Sequence, residues 1–241
     1  MFTYTAKNYL PERGQIVPHG EREDITFSCR LKKMHCEGLK ANGKRCGRNT
    51  IRAHPYCWQH YQKINKVIIA KSHVPDAGMG LYACDYTQPK GAIVFRKGDL
   101  ICQYGGEHLT KSQLDTRYGS GGQVAPYTWQ HPVSQEFYDS ACKRWIGSFS
   151  NDPKGLIPKT QSNAQIKYAE PSASSRERIN QLRYEPLPNM VAGLYAKNNI
   201  MNGQEIYVSY GKDWWAGVAP RFKVTVHTRR VSAKSQKCRA K

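Results

Sequence analysis

Residues 203–215 read Gly-Gln-Glu-Ile-Tyr-Val-Ser-Tyr-Gly-Lys-Asp-Trp-Trp. The run Ile206-Tyr207-Val208-Ser209-Tyr210 is β-branched and aromatic. Such side chains suit a pleated, half-buried surface, so the run predicts a strand. Period-two alternation sets Ile206, Val208 and Tyr210 on one face. Gly211 ends the strand, and Trp214-Trp215 follows just past the turn. By itself the stretch reads as a strand that closes a core with aromatic rings.

Three stretches upstream change that reading. They are Asp76-Ala77-Gly78-Met79-Gly80-Leu81-Tyr82-Ala83, Tyr104-Gly105-Gly106-Glu107, and Phe149-Ser150-Asn151-Asp152 followed by Asn163-Ala164. Each alone is weak: a lone Gly-x-Gly is more often a turn than a ligand loop, and Tyr104 alone is an ordinary strand aromatic. In this order, with residues 203–215 as the fourth piece, they resemble the SET-domain protein lysine methyltransferase family. The resemblance implies a mainly β fold with few short helices, built of small curved sheets with a pseudo-knotted C-terminal segment. It implies S-adenosylmethionine (SAM) as cofactor and methyl transfer to a lysine ε-amine held in an aromatic channel. Carried over position by position, Tyr210 and Tyr104 are the catalytic tyrosines. Tyr104, Val208 and Trp214 line the substrate channel. Gly78, Met79, Gly80, Tyr127, Asn151, Asp152 and Tyr210 contact the cofactor.

The sequence departs from the family pattern in four places. Asp152 stands where the family has histidine, which removes an imidazole donor. Asn163-Ala164 lies eleven positions after Asp152, and Pro153, Gly155 and Pro158 mark the insert as a surface loop. Val208 occupies a position usually held by Phe or Tyr, so a lysine already bearing methyl groups has room and the product reaches di- or trimethyl-lysine. After Trp215 there is no Cys-rich tail to cover the channel.

Residues 29–63 hold Cys29, Cys36, Cys46 and Cys57, with His35, His54 and His60 among them. The Cys57-Trp58-Gln59-His60 spacing lets two side chains reach one ion from a single turn, and Cys36 and Cys46 complete a tetrahedral thiolate and imidazole set for structural Zn2+. Gly38 and Gly43 permit the bends. Cys29, His35 or His54 remain alternative ligands, and the bland reading is a basic loop with small apolar thiols.

The eight cysteines come without a signal peptide, so they read as reduced thiols or metal ligands. No apolar run approaches the ~20 residues that span a bilayer. The charge is uneven. Residues 30–71 carry eleven Lys/Arg against one acid, and residues 216–241 carry eight against none. Of the formal net charge of +19, the rest of the chain accounts for +1. Basic flanks of this kind suit phosphate backbones or acidic protein surfaces, or serve only solubility.

These readings divide the chain into an irregular leader (1–28), a basic Cys/His zinc-binding module (29–65), a SET-like domain (66–215) and a basic tail (216–241). Further expectations are strands at residues 67–70, 81–83, 127–129, 136–140 and 190–196, a hairpin turn followed by a strand over 97–104, a short helix from Leu109 to Leu114 capped by Thr110, and an exposed excursion over 172–189. The expected partner is a histone tail or other lysine-bearing protein, with nucleosome or nucleic-acid contact through the flanks and no membrane. The expected location is nuclear or chromatin-associated, otherwise cytoplasmic, and not secreted. Two other readings stay open: a SET-like module without turnover, and a zinc-containing nucleic-acid or chromatin binder with a structural central domain.

Overall fold

The strand Val191–Ala196 pairs antiparallel with Ala164–Ala169 on one side and Leu100–Gln103 on the other. Its residues Val191, Leu194, Tyr195 and Ala196 are buried in the main core with Leu100, Ile101 and Cys102. The structure is a computed structural model that describes residues 16–19, 22–28, 34–50, 55–74, 77–118, 128–140, 145–154, 156–157, 160–183, 185–212, 215 and 229–230. A second sheet centres on Met79–Ala83, flanked by Val67–Lys71 and Glu205–Ile206. A third has Phe137–Asp139 between Thr128–Gln130 and Glu107–Leu109. The remaining sheets described are two-stranded.

Three helices of eight residues complete the described fold: α1 (Trp58–Asn65), α2 (Lys111–Tyr118) and α3 (Ala173–Asn180). The fold is thus mainly β with short helices and small sheets. Helix α2 starts at a capping box: the Thr110 hydroxyl accepts from Gln113 N (3.2 Å), and Gln113 Oε1 accepts from Thr110 N (2.8 Å). The cap is the expected one, but the helix runs to Tyr118, because Leu114 and Tyr118 bury against Leu109 and Phe137.

Helix α3 occupies the first part of the exposed excursion expected over 172–189, while Glu185, Pro186, Pro188 and Asn189 beyond it are exposed as expected. Ser172 caps it by accepting from Ser175 N, and Ser175 and Ile179 are buried. Arg178 reaches inward and donates to the carbonyls of Ile64 and Leu100. The Arg/Glu run is therefore amphipathic: Arg178 caps buried carbonyls, Arg176 donates to the carbonyls of Leu187, Pro188 and Asn189, and Glu177 is exposed. The leader also differs from expectation: Ile16–His19 and Arg22–Ser28 form an antiparallel hairpin. The strand propensity of Ile25-Thr26-Phe27 prevails. The cysteine expectation needs correction as well. Cys36, Cys46, Cys57 and Cys102 are free thiols, but Cys84 is disulfide-bonded.

Residues 205–210 form the regular strand only over Glu205–Ile206. The expected longer strand stops there because the chain is gripped differently on its two sides. Tyr207 bridges Asn151, and Val208 N donates to Asn151 O (3.0 Å). On the opposite side Ala164 N donates to Tyr207 O (2.9 Å), and Tyr207 N donates to the Asn163 side chain (2.8 Å). Asn163 Nδ2 also donates to Glu205 O (2.9 Å). A side chain thus takes the place of a ladder partner. The C-terminal segment is held between the two ends of the 152–163 connection, as a pseudo-knotted segment requires.

Residues 36–64 share the main core: Cys36, Cys46, Tyr56, Cys57, Tyr61 and Ile64 cluster with Val67, Leu81 and Leu100. Leu39 N donates to Leu182 O (2.8 Å), which ties this segment to the end of α3.

Candidate active site and Cys/His cluster

The gripped segment delivers Val208 and Tyr210 to one side of a cavity of about 360 Å3. Tyr104, Trp129, Ser150 and Ile166 line it as well. Tyr104 sits just past the edge strand Leu100–Gln103, where its N–H donates to Ala192 O (3.0 Å). Its ring meets Trp129 edge-on at 6.4 Å. Gly105 lets this turn close: a Cβ there would lie 2.6 Å from the Trp145 ring. Glu107 pairs with Arg117 (2.8 Å), which also pairs with buried Asp139 (2.6 Å).

Tyr210 is fixed at both ends. Its N–H donates to Asp152 Oδ2 (2.8 Å), and its hydroxyl donates to Ser150 O (3.2 Å). Asn151 Oδ1 lies 3.5 Å from the same hydroxyl. With its proton directed to Ser150, the phenolic oxygen keeps acceptor capacity for a ligand in the cavity.

Of the residues named for the cofactor, Gly78, Met79, Gly80, Asn151, Asp152 and Tyr210 fall among the described residues. Tyr127 and the channel residue Trp214 lie outside them. Asn151 Nδ2 donates to Met79 O (2.9 Å), so the Gly-x-Gly turn and the Asn151 segment meet beside Tyr210. Gly78 has φ +70° and is exposed, with nothing within 4 Å of where a Cβ would stand. This open, left-handed turn fits close approach of a ligand.

Gly80 serves a different need: a Cβ would lie 2.1 Å from Glu205 Oε1. Its missing side chain makes room for a buried carboxylate. Asp152 makes three hydrogen bonds within the chain. Its Oδ2 accepts from Tyr210 N and Trp215 Nε1 (3.0 Å), and its Oδ1 accepts from Lys154 N (2.9 Å). The carboxylate is occupied in positioning Tyr210 and Trp215.

Glu205 is the electrostatic anchor beneath the site. It is 2% exposed. It accepts from the Ser72 hydroxyl (2.6 Å), His73 N (2.8 Å), and the hydroxyls of Tyr82 and Tyr207 (2.9 Å each). Burial pushes its pKa up, but the bonds from His73, Ser72 and Tyr207 outweigh it and hold the carboxyl below its ordinary value. Burial and the Glu205 charge push the Tyr82 and Tyr207 hydroxyls well above theirs.

The second cluster comprises Cys36, Cys46, Cys57 and His60, all buried, with ligand atoms within 4.8 Å of one another. Nδ1 of His60 lies 3.2 Å from Cys36 Sγ and 3.3 Å from Cys57 Sγ. A tetrahedral ion with bonds of about 2.3 Å to sulfur and 2.0 Å to nitrogen sets that edge at ~3.5 Å. Nε2 contacts Leu39 O at 2.8 Å, which suits a protonated Nε2 and leaves the Nδ1 lone pair for a metal. Gly38 N and Cys57 N donate to Cys36 Sγ, bonds that favour thiolate. Without a cation the thiols act on each other: the hydrogen bond with Cys36 lowers Cys57, while that bond and burial raise Cys36. Gly38 is required by shape, since a Cβ would meet the His60 ring at 2.4 Å. His35 is exposed and outside the cluster, and Cys29 and His54 lie outside the described residues. The donor chemistry and spacing fit zinc.

Trp129, Ile166 and Lys197 line the cavity and were not singled out from the sequence. Trp129 had a usable signal as an aromatic two positions after Tyr127. Ile166 and Lys197 had none, because only the pairing of Ala164–Ala169 with Val191–Ala196 brings them there.

No protein-family model matches the chain, and no curated protein matches it. Among solved structures it is similar to chains of polycomb repressive complex 2 from Chaetomium thermophilum. One, in an autoinhibited conformation bound to S-adenosylmethionine, is 18% identical with a TM-score of 0.39. Another, a crystal structure of the complex, is 18% identical with a TM-score of 0.38. Each alignment covers 61% of this chain and 15% of the matched chain. The likeness is partial in both directions, and the site is read from its own residues.

Proposed function

We propose that this chain is a SAM-dependent protein-lysine N-methyltransferase of the nucleus or chromatin, acting on a histone or another lysine-bearing protein. The observation that carries the reading is the convergence of Tyr104, Trp129, Val208 and Tyr210 on one cavity, with Asn151 joining the Gly78–Gly80 turn to Tyr210. The four motifs lie far apart in sequence and meet at one place.

SAM supplies a sulfonium methyl already activated for attack by a neutral amine. The chain's residues have three tasks. Tyr104, Trp129 and Val208 form an apolar sleeve that keeps water from the lysine nitrogen and disfavours its ammonium form. The Tyr210 oxygen accepts an N–H and turns the nitrogen lone pair into line, where alignment lowers the barrier. Gly78, Met79 and Asn151 form the cofactor side, with Gly80 and Asp152 acting through Glu205 and Tyr210. The ring faces of Tyr104 and Trp129 suit a methylated ammonium. Structural zinc held by Cys36, Cys46, Cys57 and His60 would brace residues 36–64 against α3. The basic flanks would supply affinity for nucleosomes. Among the described residues no helix is long and apolar enough to cross a membrane.

The test is calorimetric titration with SAM of the wild type and Asn151→Ala. The reading expects saturable one-to-one binding that the substitution weakens. Absence of SAM binding to folded wild-type protein would defeat it, and the non-catalytic chromatin-binding alternative would then stand.

A further inference from the structure

We propose that a cleft beside the cavity holds an acidic stretch of the substrate protein, so that the lysine this chain methylates has glutamate or aspartate residues next to it. The inference rests on the methyltransferase reading and narrows its substrate.

The cleft has a volume of about 1050 Å3 and runs past Trp215. It shares Ser162, Lys197 and Ser209 with the 360 Å3 cavity, so the two form one continuous recess. Among the described residues its walls carry Lys154, Lys197 and Lys212, from three separate segments of the chain. The one carboxylate described on either wall is Asp152, 8% exposed and already accepting from Tyr210 N, Trp215 Nε1 and Lys154 N.

Two of the lysines rest on neutral groups. Lys154 Nζ lies 4.2 Å over the Trp215 ring, and Lys197 Nζ donates to the Ser162 hydroxyl at 3.0 Å. Lys212 is exposed. Neither a ring face nor a hydroxyl cancels a formal charge. The recess therefore presents positive potential beside the place where the target lysine enters.

A lysine side chain in the cavity leaves its own backbone at the mouth. The residues beside it, each advancing about 3.3 Å when extended, run along the cleft. Glutamate or aspartate there meets Lys154, Lys197 and Lys212, while a second lysine or arginine meets like charge. This moves the substrate away from the Lys/Arg-rich context of a histone tail. It favours peptide over nucleic acid in the cleft, because the segment continuous with the cavity is the substrate's own chain.

The experiment uses the full chain and three synthetic peptides with one central lysine, flanked on both sides by pairs of glutamate, glutamine or lysine. Binding is read by fluorescence anisotropy, and methyl transfer by mass spectrometry. Each exposed pair contributes a factor of roughly 1.4 to 5. Two pairs should therefore set the glutamate peptide about 2- to 30-fold above the glutamine peptide in affinity and in kcat/KM, with the lysine peptide lowest. Lys154→Glu and Lys212→Glu should each shrink that order, and the double variant should reverse it. Equal binding of the three peptides, or preference for the lysine peptide, would overturn the proposal. So would a duplex DNA oligonucleotide that displaces the glutamate peptide and loses its own affinity in the double variant, since the cleft would then be a phosphate site. Failure of methyl transfer alone, with the binding order intact, would count against the methyltransferase reading and leave the acidic preference standing.

Discussion

Glu205→Gln removes one charge from the centre of the fold while keeping the side chain's shape. The wild-type carboxylate accepts from the Ser72 hydroxyl, His73 N, and the Tyr82 and Tyr207 hydroxyls, and it lies 3.2 Å from His73 Nδ1. A glutamine retains one acceptor oxygen and replaces the other with NH2. His73 N and the Tyr82 and Tyr207 hydroxyls all meet Oε2, so a glutamine carbonyl placed there keeps them, and its NH2 faces the Ser72 hydroxyl, which can rotate to accept. The hydrogen bonds persist, but the charge-assisted part of all four is lost, roughly 1 kcal/mol for each. A total of about 3–4 kcal/mol is expected, a large share of a typical domain stability of about 5–15 kcal/mol.

The pH dependence gives a second signature. The folded carboxyl lies below its ordinary value, so its contribution is present above the unfolded value of about 4.3 and is lost as pH falls through the lowered folded value. The gap between wild type and variant should therefore be widest near neutrality and shrink below about pH 4. Urea unfolding across that range measures it. A variant within about 0.5 kcal/mol of wild type at pH 7, or a gap independent of pH, would refute the placement of an ionised Glu205 at this centre. The same loosening frees the 72–80 turn, so SAM affinity should fall along with stability.

Three further outcomes are expected. Purified protein should contain one zinc per chain by elemental analysis, and Cys46→Ser or strong chelation should lower Tm by roughly 5–15 °C; stoichiometric zinc unaffected by Cys46→Ser would show that the ligand set is different. Asn151→Ala should weaken SAM binding about tenfold through loss of its contact to Met79 O and of its place beside Tyr210, while costing only about 1 kcal/mol in a denaturant titration. Val208 is 2% exposed and lines the cavity, so Val208→Tyr should fill space beside the lysine nitrogen and shift product from di- or trimethyl toward monomethyl. Only monomethyl product from wild type at saturation would contradict that use of Val208.

The site was more legible in the sequence than its supports. Tyr104, Val208 and Tyr210 line one cavity, and each sits in a short motif of aromatic, glycine and polar residues at local spacing. Cys36, Cys46, Cys57 and His60 could be found because ligand types cluster there. The roles of Gly80 and Asp152 could not be read locally. Gly80 answers to Glu205, and Asp152 answers to Tyr210 and Trp215, across long separations in the chain. Helix α3 was hidden because its polar surface outweighs in sequence the two buried positions, Ser175 and Ile179, and because Arg178 works as an interior cap. The long strand expected at 206–210 was overruled by Asn163, whose side chain takes up Tyr207 N.

The central claim is that Tyr210 and its cavity direct methyl transfer to lysine. Full-length protein, isotope-labelled SAM and a mixture of core histones with acidic lysine peptides should yield labelled methyl-lysine by mass spectrometry. Tyr210→Phe should abolish most of that label while retaining SAM binding, because the ring remains and the hydroxyl that orients the amine is gone. SAM-saturated wild-type protein that labels no lysine in the mixture, or a Tyr210→Phe variant that labels lysine at the wild-type rate, would contradict the account.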